Sequence, residues 1–257
     1  MRQWFKLPEI WIRVAERDGR LVGYLDAVRR GKDNATELDV RTVGREPAEA
    51  LLRSAEEHVG SGIIRAVAQG DDRLMPELLA GAGWRQVRRS FQMRIELDGD
   101  LPAPRWPEGI SVRLFRPEDE RRVYEADQIA FTEDWSFRPQ PYEEWRVYNF
   151  DRTDFDPSLC WLAEEGEELA GFSVNAWHIS GDPEFGWIGI LGVLPHWRRR
   201  GLGTALLQQS FREFQKRGAT LVGLGVDAEN TTGAVSLYER AGMHVHRTND
   251  TYEKVLP

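Results

Sequence analysis

The chain has 257 residues, 41% hydrophobic and 30% charged, a balance that fits a globular protein of one large or two smaller domains. A formal net charge of −8 argues against a general nucleic-acid binder, and no apolar run is long enough to span a membrane or to form a signal peptide in Met1 to Pro8. The single cysteine, Cys160, excludes an internal disulfide and an all-cysteine metal site, so a cytoplasmic protein is expected.

Turn signals and hydrophobic periodicity predict the elements in order. Strands at Trp11 to Val14 and Leu21 to Val28 flank Asp18-Gly19 as a hairpin, and Glu37 to Val43 is a third strand. A helix over Pro47 to Val59, a strand over Ile63 to Ala68, a helix over Leu74 to Ala82 and a strand ending at Leu97 follow. Pro102, Pro104 and Pro107 mark a linker, so the domains are drawn at residues 1–98 and 110–257 with 99–109 between them. The second stretch opens with a strand at Ile110 to Leu114, and Pro117-Glu118-Asp119-Glu120 starts a helix reaching Phe131. A loop through Pro139 leads to a helix around Tyr142 to Tyr148. Cys160 to Ala163 and Leu169 to Ala176 form a hairpin about Glu165-Gly166-Glu167, and Trp187 to Val193 is a central strand. The helix Leu202 to Arg217, the strand Thr220 to Val226, the helix Thr232 to Ala241 and two final strands complete the chain.

The two stretches repeat each other. Gly83-Trp84-Arg85 through Leu97 aligns without gaps on Gly242-Met243-His244 through Leu256, and Ala50-Leu51-Leu52 matches Ala205-Leu206-Leu207 on an amphipathic helix. Their turns differ in chemistry. Val193 to Leu207 runs from a strand, past Pro195, into a turn with Arg198, Arg199, Arg200, Gly201 and Gly203 that opens a helix. Glycines let the backbone approach a ligand, and the first N–H groups of the helix lack partners, so a pyrophosphate is the expected guest. The first stretch has Val43-Gly44-Arg45-Glu46-Pro47-Ala48 instead, where Glu46 repels an anion and Pro47 removes a donor. Leu79 stands where the second stretch has Tyr238, and few residues precede the first hairpin. The first stretch reads as a truncated, non-catalytic lobe.

Arg198-x-x-Gly201-x-Gly203, after Leu191-x-Val193-x-Pro195, resembles the acyl-CoA-binding motif of the GNAT superfamily of N-acetyltransferases. Val226-Asp227-Ala228-Glu229-Asn230 and Ala234-Val235-Ser236-Leu237-Tyr238-Glu239-Arg240-Ala241-Gly242-Met243 resemble that superfamily's later strand, asparagine and helix end. The resemblance implies an α/β (α+β) protein of two tandem lobes, each a mixed, mostly antiparallel sheet flanked by helices. It implies direct transfer of an acetyl group from acetyl-CoA to a primary amine of a small molecule or peptide, with no metal. Backbone groups of Leu191 and Val193 would hold the cofactor arm, and Arg198, Arg199, Arg200, Gly201, Leu202, Gly203 and Thr204 the diphosphate. Tyr238 would be the general acid for the leaving thiolate. Asn230 either contacts the arm or caps the following helix.

The strand Trp187-Ile188-Gly189-Ile190-Leu191 carries no acid where many superfamily members have a glutamate. Glu184 is the leading candidate base, with Asp182, His178, Glu133 and Asp134 as others, and a base acting through ordered water or an acceptor that arrives already neutral fits equally well. The aromatic loop Phe131 to Trp145 is either an acceptor lid or packing between lobes. Cys160 reads as a passive buried thiol, and the five histidines show no ligand spacing. Two-lobe actinobacterial acetyltransferases of the mycothiol-synthase kind are similar in layout, which adds a cysteinyl amine as a candidate acceptor. The alternative from another class is a CoA-binding sensor or scaffold without turnover.

Overall fold

The chain opens with three antiparallel strands, β1 (Trp11–Arg17), β2 (Arg20–Arg30) and β3 (Ala35–Thr42), and β1 carries a bulge at Ala15/Glu16. Leu25 and Ala27 of β2 and Leu38 of β3 are buried on one face, while Asp26, Glu37 and Asp39 take the other. The computed structural model describes residues 10–30, 33–135, 137–152, 155–177 and 181–257. Helix α1 (Arg45–Val59) covers the apolar face with Leu51, Leu52 and Ala55. It starts two residues before the expected Pro47, because a proline in the first turn forfeits no intrahelical bond. Strand β4 (Gly62–Gln69), helix α2 (Leu74–Gly81) and strand β5 (Arg85–Glu96) complete the first half.

The second half contains β6 (Ile110–Leu114), α3 (Glu120–Ala130), α4 (Tyr142–Asn149), β7 (Trp161–Glu165), β8 (Glu168–Trp177) and β9 (Phe185–Val193). It ends with α5 (Leu202–Lys216), β10 (Leu221–Asp227), α6 (Ala234–Arg240) and β11 (His244–Leu256). The expected pair of final strands is one 13-residue strand. Register shifts at Val245/Arg247 and Thr251/Tyr252 bend it without breaking it, and the polar residues near these bulges look like a turn when read in sequence alone.

All eleven strands join one sheet in the order β1-β2-β3-β4-β11-β5-β10-β9-β8-β7-β6. Among the described residues, only β3/β4 and β9/β10 pair in parallel. The last strand of each half has crossed into the other: β5 pairs with β10 from Glu96 to Ser90, and β11 pairs with β4 from Asn249 to Leu256. The segments that repeat in sequence therefore lie side by side at the centre of the sheet. The cores follow the exchange. Met93 of β5 packs with Phe211, Phe214 and Val222 of the second half, and Leu256 of β11 packs with Leu52, Ile64 and Leu79 of the first. Each such buried side chain contributes about 1.5–3 kcal/mol.

The internal repeat extends to local geometry. A Cβ at Gly23 would lie 2.8 Å from Leu51, and one at Gly171 would lie 3.1 Å from Leu206. The Val43 N–H donates to the Val22 carbonyl at 2.8 Å as the Leu194 N–H donates to Ala170 at 3.0 Å. One difference matters for function. Strand β6 and helices α3 and α4 precede β7, whereas only Ile10 precedes the matching strand β1 among the described residues. Among the described residues, no helix of the first half covers the sheet face that looks away from α1.

Candidate active site

Strands β9 and β10 pair in parallel from Phe185↔Leu221 to Ile188↔Leu224 and then part. The cause lies on the other side of β9. The register with β8 jumps from Asn175↔Ile188 to Val174↔Ile190, leaving Gly189 as a bulge that turns β9 away. The Leu194-to-Ala170 bond sets the phase of the antiparallel alternation, so residues 192 and 194 bond β8 while the peptide groups of Leu191 and Val193 face the gap. The Val193 carbonyl is taken by Arg198 Nε at 3.1 Å. The Leu191 peptide and the Val193 N–H remain directed into the gap.

One end of the gap is the turn before α5. Arg199 (φ 61°) and Gly201 (φ 87°) are left-handed, and no side chain caps the helix. The first intrahelical bond is Ala205 N–H to Gly201, so the N–H groups of Leu202, Gly203 and Thr204 have no helical acceptor. A Cβ on Gly203 would sit 3.0 Å from the Leu237 side chain of α6, which would have to shift to admit it. The three arginines diverge. Arg198 binds the Ala130 carbonyl and Glu133, each at 2.9 Å, and Arg200 pairs with Glu165 at 3.0 Å. Arg199 lines the cleft and makes no ion pair among the described residues. Of the three, Arg198 and Arg199 line the cleft, and Arg198 is engaged by Ala130 and Glu133.

Tyr238 of α6 lines the same cleft and is only 8% exposed. Burial pushes its phenol up to about 12, so it stays protonated at neutral pH, as a proton donor must. Asn230 lines the cleft, and its Oδ1 accepts from Thr232 N–H at 2.9 Å and Ala234 N–H at 3.2 Å. These bonds order the turn before α6, which starts at Ala234 after left-handed Gly233, two residues after the expected Thr232.

Glu184 is not brought to this cleft. It precedes β9 at the opposite end, seven residues from Leu191 (191 − 184), about 23 Å at strand rise, and its carboxylate accepts from Thr220 Oγ1 at 3.0 Å. Asp182 lies beside it, with Oδ1 accepting from the Glu184 N–H at 2.9 Å. His178 lies outside the described residues. Glu133 and Asp134 do line the cleft, and Glu133 is committed to Arg198. Cys160 is fully buried away from the cleft, and burial pushes its thiol up to about 12, far from a reactive thiolate.

The cleft, about 1130 Å³, does not stop at the second half. It crosses the sheet past Asp227, Arg88, Ser90, Thr251, Arg65 and Asp39. Arg88 is held by Asp227 and by Glu229 at 2.7 Å, and Arg65 by Glu253 at 2.7 Å and by Asp33. Trp135 from the aromatic loop lies over both guanidiniums, 4.5 Å from Arg65 and 5.6 Å from Arg88. The loop is therefore both wall and packing. Trp135 roofs the polar floor, while Trp145 is buried against Phe150 and donates to Asp127 at 2.8 Å. The wall from the first half is the feature that sequence reasoning misses. Its signal is present in Tyr24-x-Asp26 and Glu37-x-Asp39-x-Arg41, polar faces of strands with no local helix to shield them.

Two parting parallel strands that meet an uncapped helix start define an acyltransferase of the GNAT type. Residues 121–243 match the model of the acetyltransferase (GNAT) family. Mycothiol acetyltransferase of Geodermatophilus obscurus is 34% identical over 92% of this chain and 80% of that protein, and the Streptomyces coelicolor protein of the same name is 32% identical over 91% and 76%. The chain belongs to the GNAT family and is an N-acetyltransferase, which answers the alternative of a binding protein without turnover. A GCN5-related N-acetyltransferase from Sphaerobacter thermophilus superposes with a TM-score of 0.75 at 32% identity, covering 93% of this chain and 78% of that one. A tandem GNAT protein from the clavulanic acid pathway, at 17% identity and a TM-score of 0.76 over 97% and 84%, shares the fold.

Proposed function

We propose that the chain transfers an acetyl group from acetyl-CoA directly to a primary amine of a small molecule or peptide. The parting of β9 from β10 beside the uncapped start of α5 carries this reading. The amides of Leu202, Gly203 and Thr204, with Arg199, take the diphosphate. Leu191 and Val193 bond the pantetheine arm, and an N–H in the gap steadies the thioester oxygen as charge develops there. Tyr238 donates its proton to the departing thiolate. The burial that raises the phenol also makes a thiolate beside it more basic, which keeps the transfer feasible.

The amine must lose a proton before attack. A carboxylate of the cleft-lining pair Glu133 and Asp134 receives it, since Glu184 is out of reach. The body of the acceptor lies on the polar floor of the first half beneath Trp135. The name shared by the relatives at 32–34% identity supports a narrower reading, a cysteinyl amine as acceptor. A thiol-release assay over a panel of amines that includes cysteinyl amines, run beside calorimetry with coenzyme A, tests this. Release with a primary amine supports the reading; binding of coenzyme A with no release from any acceptor overturns it.

A further inference from the structure

One guanidinium ties three segments together. Arg198 Nε reaches the Val193 carbonyl at the end of β9 (3.1 Å), Nη2 reaches the Ala130 carbonyl at the end of α3 (2.9 Å), and Nη1 reaches the Glu133 carboxylate (2.9 Å). A planar fork can serve three acceptors in three directions, and a lysine ammonium on its single stem cannot hold the same geometry. Arg198 opens the turn that carries Arg199, Gly201 and Gly203, while Glu133, Asp134 and Trp135 are consecutive and all line the cleft. Trp135 in turn rests on Arg65 and Arg88 of the first half. A continuous chain of contacts runs from the turn to the far wall.

We propose that Arg198 is a positioning residue that transmits occupancy of the turn to the acceptor loop. This rests on the reading that coenzyme A binds the turn. A bound diphosphate fixes the backbone of residues 198–203, that backbone fixes the guanidinium, and the guanidinium holds Glu133, Asp134 and Trp135 in register. The acceptor then meets a wall already ordered, so the two ligands favour each other's binding, and the coupling is reciprocal. An arginine that only braced the fold would hold the loop equally with the turn empty or filled.

Hydrogen exchange of the amides of residues 131–135, followed with coenzyme A alone as the probe and calorimetry alongside, separates these cases. In the wild type the cofactor slows exchange there by at least about fivefold. Arg198→Lys binds coenzyme A with a measurable heat but shows no slowing, and Glu133→Ala, a change at an exposed acid, shows a smaller one. Slowing in Arg198→Lys equal to that in the wild type, or wild-type binding without any change at 131–135, overturns the proposal and leaves the diphosphate reading intact. No binding to the wild type overturns both. If Arg198→Lys does not bind, Glu133→Ala decides: undiminished slowing overturns the proposal, and reduced slowing supports it.

Discussion

From β1 to β5 and from β7 to β11 the strands and helices follow one order, yet the two stretches treat the strand-to-helix turn in opposite ways. Residues 194–201 separate β9 from α5 and leave three amides and Arg199 facing a cleft, whereas only Val43 and Gly44 separate β3 from α1. The charges at the first turn are spent internally: Arg45 pairs with Glu77 at 2.8 Å, and Glu46 pairs with Arg17. The described residues of the first half include no counterpart of α3 and α4, and the face of its sheet away from α1 lines the cleft. A repeated unit whose strand-to-helix turn is occupied by its own ion pairs can thus still line its neighbour's cleft.

Paired substitutions at equivalent positions test this contrast. The largest effect is expected at Tyr238. Tyr238→Phe lowers kcat by about 10²–10⁴-fold with little change in the denaturation midpoint. Leu79→Ala, at the matching place in α2, leaves turnover per folded molecule intact but costs about 2–5 kcal/mol by urea titration, because Leu79 is fully buried. Equal losses of turnover at both positions would break the comparison.

Asp127 probes α3, a helix with no counterpart among the described residues of the first half. It is 8% exposed, and burial pushes its carboxyl up to about 6 from 3.8, against the hydrogen bonds from Trp145 and Gln128. The unfolded chain gives up this proton first as pH rises, so the group's stabilisation is complete below about pH 4 and lost by the time pH passes about 6. Asp127→Asn removes that loss. It should stabilise the protein by about 3 kcal/mol at pH 7.5 and have no effect near pH 3.5, as read from thermal or denaturant unfolding.

Smaller effects are expected at the turns themselves. Gly203→Val places side-chain atoms against Leu237 and weakens coenzyme A binding by about tenfold or more in calorimetry. Arg199→Ala weakens it about fivefold at low salt and less at high salt, while Arg45→Ala in the first turn changes nothing measurable.

The legible parts were the local ones. A glycine turn between an apolar strand and an amphipathic helix specifies an uncapped helix start within a dozen residues, and the spacing from Tyr238 to Gly242 places the phenol on the helix beside it. Strand exchange was not legible, because alternation says which face of a strand is buried but not which distant strand lies next to it. The same limit hid the wall from the first half. Glu184 misled for a different reason: closeness along the chain to β9 is distance along a rigid strand. The fates of Arg198 and Arg200 depend on Glu133 and Glu165, remote in sequence and brought near only by the fold.

The crossing of β5 and β11 governs how this polypeptide could come apart. A protease that cuts anywhere in residues 99–109 would sever the backbone and free no fragment, since each piece keeps a strand hydrogen-bonded inside the other's sheet. Expressed singly, either piece would leave β4 or β10 as a bare edge and would tend to aggregate before it could serve as a smaller working version.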